Sequence, residues 1–78
     1  MNRQASPIVR NPVLALPAAR RLRDLPPESR DALAAVLLEL GDQAAEKAEL
    51  SWRKHKAPMA AYWKAASVYS RHIARALR

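Results

Sequence analysis

The placement of proline constrains this chain more than any other feature. Pro26, Pro27 and Pro58 bracket a stretch, residues 28–57, that contains no proline, and none follows Pro58. Inside a helix a proline loses one backbone hydrogen bond and clashes with the carbonyl four residues earlier, at ~3 kcal/mol. In the first turn of a helix it costs almost nothing. The residue before a proline also avoids the helical region. The prolines therefore divide the chain into a segment that must stop before Pro26, a helix that starts at Pro27 and a helix that starts at Pro58. Glu28 and Asp31 near the first start suit the positive end of a helix dipole.

Hydrophobic periodicity fills in the two long elements. Leu33, Leu37, Leu40, Ala44, Ala48 and Ser51 recur at intervals of three and four with Val36 beside them, which predicts a helix over about 27–54. Gly41, the only glycine, could instead break it, with Asp42 capping a new helix. The apolar stripe continues in phase across Gly41, and an interior glycine costs only about 1 kcal/mol relative to alanine, so a continuous helix is expected. Glu39, Asp42, Glu46 and Glu49 form an acidic stripe away from the core. The third helix is expected over 58–77, with Met59, Tyr62, Trp63, Ala66, Tyr69, Ile73 and Leu77 on its apolar face. Lys64, Arg71, Arg75 and Arg78 lie opposite. Upstream, Pro17 suits the start of a short helix over 17–24 that carries Leu22. Residues 1–12, with Asn2, Ser6, Pro7, Asn11 and Pro12, read as a flexible basic arm before a single helical domain over 13–78.

The expected fold is all-α: a long helical hairpin preceded by a short N-terminal helix. Half of the 78 residues are hydrophobic, but 17 of them are alanine, and there is no cysteine to form a disulfide. A core built from so little large apolar surface is marginal at this length. Two hairpins sharing one bundle core would remedy that, so a homodimer is expected. No apolar run approaches the ~18 residues that span a bilayer, so membrane insertion is not expected. The first residues carry Arg3 but no apolar segment of a secretory signal. A soluble protein of the cytoplasm is expected.

The formal net charge of +7 is arranged in blocks. Residues 1–23 carry five Arg and no acid, residues 24–49 carry seven acids against Arg30 and Lys47, and residues 50–78 carry seven Arg and Lys and no acid. A basic chain is attracted to nucleic acid, anionic membranes and acidic proteins alike. The acidic middle block counts against the first of these. A DNA- or RNA-binding regulator using the N-terminal arm and the basic third helix remains the alternative, and a helix break at Gly41 would strengthen it by allowing a recognition helix.

Catalysis has no foothold in this composition. There is no cysteine nucleophile and no glycine-rich phosphate loop, and the acids fall on a solvent-facing stripe. His55 and His72 belong to different elements, with no carboxylate set to complete a metal site. The chain is expected to be no enzyme and to need no cofactor or metal. What stands out is a cluster: every aromatic residue lies between positions 52 and 69, in a segment without acids. Helical phase divides it. Tyr62, Trp63 and Tyr69 are expected mostly in the core. Trp52 belongs to a second, narrower strip with Leu38 and Ala45, at seven-residue spacing. That strip is either open to a partner or closed by Trp52 folding over the turn against Met59 and Trp63. The expected contact residues are Trp52, Arg53, His55 and Lys56 at the turn, with Arg71 and Arg75 behind them. An aromatic anchor supplies burial there, and the cations pair with an acidic partner surface.

The stretch Trp52-Arg53, Lys56-Ala57-Pro58-Met59-Ala60, Tyr62-Trp63-Lys64, continuing to Tyr69 and His72-Ile73-Ala74-Arg75, resembles small uncharacterised proteins carried by Mu-like transposable phages and prophages of proteobacteria. The resemblance spans roughly residues 12–78. It implies a small phage protein that binds a host protein and inhibits it, in a pilus, quorum-sensing or defence system. A structural role in a phage particle is also compatible with it.

Overall fold

The computed structural model describes residues 11–78. A short 3-10 turn, Pro12–Ala15, leads to a one-turn helix α1 (Ala19–Leu22), then to α2 (Pro27–Arg53) and α3 (Ala57–Leu77). The fold is all-α, and α2 and α3 pack against each other as an antiparallel hairpin. Pro27 and Pro58 both occupy first-turn positions. The two long helices match the ranges expected from proline and periodicity to within one residue at each end.

The short N-terminal helix is present but reduced to the single turn Ala19–Leu22 within the expected 17–24. Tight turns flank it from Leu16 to Leu25, with amides donating to carbonyls three residues back, as in Ala19 to Leu16 at 2.9 Å and Asp24 to Arg21 at 3.1 Å. Between Pro17 and Pro26 there is no room for the helix to grow past one turn, where each added residue would repay nucleation. Its three cations, Arg20, Arg21 and Arg23, have no acid in the preceding turn to offset their mutual repulsion. The arm expected over 1–12 is also too long. Asn11 is buried, and its Nδ2 donates to the His72 carbonyl at 3.0 Å, tying the segment to the far half of α3. Residues 1–10 of that arm lie outside the described residues.

Gly41 does not interrupt α2; it lets α3 come close. It is buried, and a Cβ added there would meet Arg71 Cγ at 3.0 Å, Arg71 Nε at 3.2 Å and the Ser67 carbonyl at 3.4 Å. Around it the hairpin seam is built mostly from small residues. On α2 it follows Ala34, Leu37, Gly41, Ala44, Ala48 and Ser51; on α3 it follows Ala60, Trp63, Ser67, Ser70, Ala74 and Leu77. Both series step by three and four, the seven-residue repeat of a helix pair in knobs-into-holes contact.

A seam of alanine, serine and glycine brings two backbones close, but it displaces large side chains to the flanks. Leu77 is the single large side chain among the described residues that is fully buried. It sits with Ala34 and Ala74 at the open end of the hairpin, where Leu22, Leu25, Leu37 and Ile73 close around it. Arg30 reaches over this end, its Nη1 3.5 Å from the Leu77 carbonyl, a long contact. Tyr62 and Tyr69, expected in the core, are each 60% exposed. The seam runs through Ala60, Ser67 and Ala74, so positions 62 and 69 turn to the outside of α3. A tyrosine hydroxyl would in any case need a partner if buried.

Candidate functional site

The turn between α2 and α3 takes its shape from a backbone motif. His55 has φ 60°, the left-handed region. The Lys56 amide donates to the Ser51 carbonyl at 2.9 Å, and the His55 amide donates to the Trp52 carbonyl at 3.0 Å. This pair of bonds is the Schellman closure of a helix C-terminus, with histidine where glycine is usual. The chain then enters α3 directly: the Ala60 amide donates to the Lys56 carbonyl at 2.9 Å, and Pro58 needs no donor in this first turn. His55 is thus first a turn residue, with its side chain exposed to solvent.

Trp52 occupies the last turn of α2 and is 66% exposed. Its indole separates two shallow grooves. One is lined by Ala48, Glu49, Ala57, Ala60, Ala61 and Lys64. The other is bounded by Arg53, His55 and Ala57. It does not fold over the turn onto Met59 and Trp63. Trp63 stacks edge-to-face with Tyr62 instead, with centroids 5.0 Å apart and planes at 77°. The strip of Leu38, Ala45 and Trp52 is open, with Leu38 38% exposed.

Of the expected contact residues, Trp52, Arg53, His55 and Lys56 are together and exposed at the turn. Arg71 and Arg75 are not beside them. Arg71 stands across from Asp42, ten residues before Trp52 on α2, which places it about 15 Å away by helical rise. It is also engaged: its Nη2 donates to Asp42 Oδ1 at 3.0 Å, and its stem covers Gly41. Arg75 sits with Arg78 and Ala74 beside Leu38. Lys64 and Glu49, placed by sequence on the basic and acidic stripes but not among the expected contact residues, lie between the two groups. Only the pairing of α2 with α3 could reveal them, because periodicity places each on its own helix but not across the seam.

The hairpin is therefore two-faced. One broad side carries Leu38, Asp42, Ala45, Glu49 and Trp52 of α2 with Lys64, Arg71, Arg75 and Arg78 of α3. The other carries Leu40, Gln43 and Lys47 of α2 with Trp63, Ala66 and Ser70 of α3. The N-terminal segment lies toward one end of this second side, where Val13, Leu16 and Leu22 line a groove against Ile73. Among the described residues no group of three or more His, Cys, Asp or Glu is placed to hold a metal ion. No helix among them is long and apolar enough to cross a membrane. Compared with protein-family models, with curated proteins and with solved structures, the chain matches none.

Proposed function

We propose that this chain is a non-enzymatic binding protein that docks on another protein through the α2–α3 turn and alters that protein's activity. Trp52 is the anchor, and Arg53 and Lys56, with Lys64 behind them, face an acidic patch on the partner. The observation that carries this reading is a tryptophan two-thirds exposed beside cations that form no ion pair: among the described residues the ion pair is Arg71–Asp42. Exposed aromatics rimmed by charge are the composition of interface hot spots. The resemblance to proteins of Mu-like phages makes the target a host protein in the bacterial cytoplasm, of the pilus, quorum-sensing or defence machinery.

Nucleic-acid binding is less well supported. Asp42 and Glu49 share the broad side of Lys64 and Arg71, and a phosphate backbone would have to displace Asp42 from Arg71. Affinity capture from host lysate with the wild-type chain and the Trp52→Ala/Arg53→Ala double variant tests the proposal. One dominant protein should be recovered by the wild type and lost by the variant, with helicity unchanged in circular dichroism. Retained capture would remove the turn from the interface. Binding of duplex DNA at low salt that weakens with Arg75→Ala and not with Trp52→Ala would favour the regulator instead.

A further inference from the structure

The second broad side of the hairpin, which the proposed function leaves unused, carries little charge. Next to the N-terminal segment it presents Leu40, Gln43, Lys47, Trp63, Ala66 and Ser70 around a shallow groove. By helical phase Val36 and Leu33 extend it along α2, and Met59 and Tyr62 extend it along α3. Leu33, Val36, Leu40, Met59 and Tyr62 are 44–60% exposed. Lys47 is the one charged side chain at its centre, with Lys54 a further two turns on at the end of α2. Asp42, Glu49, Lys64, Arg71 and Arg75 belong to the opposite side, while Glu39 and Glu46, four before and three after Gln43, border its outer edge. A contiguous apolar side on a folded chain is a binding surface or a liability.

We propose that a second copy of this chain covers it, two hairpins meeting through Leu40 and Trp63 about a two-fold axis to form a four-helix bundle. Three observations select this occupant. First, a chain of net charge +7 repels its own copy least through a surface whose centre carries little charge and whose edge has Glu39 and Glu46 to offset Lys47, and this side is that surface. A foreign acidic partner, by contrast, is steered to the opposite side, where the cations are. Second, the isolated hairpin has a single fully buried large side chain, with the rest of its buried apolar residues alanine. A helix pair is one layer, and a stable domain needs a second. A copy is present whenever the chain is made, whereas another protein is present only on encounter. Third, a two-fold interface requires a patch that is complementary to itself. Small and large residues alternate here, with Ala66 and Ser70 beside Trp63 and Leu40, so one hairpin's knobs can enter the other's gaps. The stem of Lys47 can lie along the apolar surface with its ammonium at the rim. The pairing leaves both copies of Trp52 outward, so the assembly would be bivalent toward its target.

Light scattering coupled to size separation tests the assembly on the full chain, and spin labels test the face. The expected mass is twice the 8.7 kDa of one chain. Because there is no cysteine, single cysteines can be placed at exposed positions that do not disturb folding. A label on Gln43→Cys should then give a shorter interprotomer distance than one on Glu49→Cys. A mass of 8.7 kDa overturns the proposal and leaves the side to a protein of another sequence. A dimer in which the Gln43 labels are no closer than the Glu49 labels overturns it equally.

Discussion

His55 and Gly41 show how two residues that look alike in importance differ in role. A non-glycine residue in the left-handed region costs roughly 1 kcal/mol. His55→Gly should therefore raise stability by up to about 1 kcal/mol, about 4–8 °C in melting temperature for a chain of this size, while partner capture is unchanged. Lost capture with a raised melting temperature would show that the imidazole itself touches the target. At Gly41 two effects nearly cancel. Alanine gains about 1 kcal/mol of helix propensity, but its Cβ would press on the Arg71 stem at 3.0 Å and loosen a solvent-exposed ion pair worth under about 1 kcal/mol. Gly41→Ala should lie within about 1 kcal/mol of wild type in denaturant unfolding. Gly41→Leu, which must push the two backbones apart, should cost upward of about 2 kcal/mol.

At the scale of the element, the hairpin depends on small residues in the seam and on one large side chain at its open end. Leu77→Ala should cost about 2–4 kcal/mol, because the cavity opens against Ala34, Ala74, Leu37 and Ile73, which cannot all collapse. Ala34→Leu should cost about 1–3 kcal/mol by overpacking, although the substitution raises hydrophobicity. Equilibrium unfolding measures both. The sequence revealed the helices themselves because their signals are local: proline at a first turn, period 3.6 between, and no competing strand pattern. It misled on which apolar side chains are inside. Leu33, Leu40, Tyr62 and Tyr69 look like core by hydrophobicity, yet the seam forms one or two positions away, through Ala34, Gly41, Ala60 and Ser67. Backbone proximity and steric fit between two helices decide that choice, and neither is written in one helix's periodicity. The same limit applies to the contact residues. Trp52 to Lys56 are contiguous and were legible together, whereas the separation of Arg71 from them and its commitment to Asp42 follow only from helix pairing.

For the whole molecule, the proposed docking and the proposed self-association each use one broad side. Long-range attraction operates on the side with Lys64, Arg75 and Arg78, so capture of an acidic target should slow as salt rises, through the association rate more than through dissociation. Rates measured at two ionic strengths would show this, and equal rates would exclude steering. On the proposed function, Trp52 stands free in the unbound protein and is the side chain a protein partner covers. Trp63→Phe leaves Trp52 as the sole indole, and quenching of its fluorescence by a neutral quencher reads its exposure directly. The prediction is efficient quenching in the free protein and marked protection once the captured partner is added. An indole that is shielded in the free protein, or equally quenched in the complex, would contradict it.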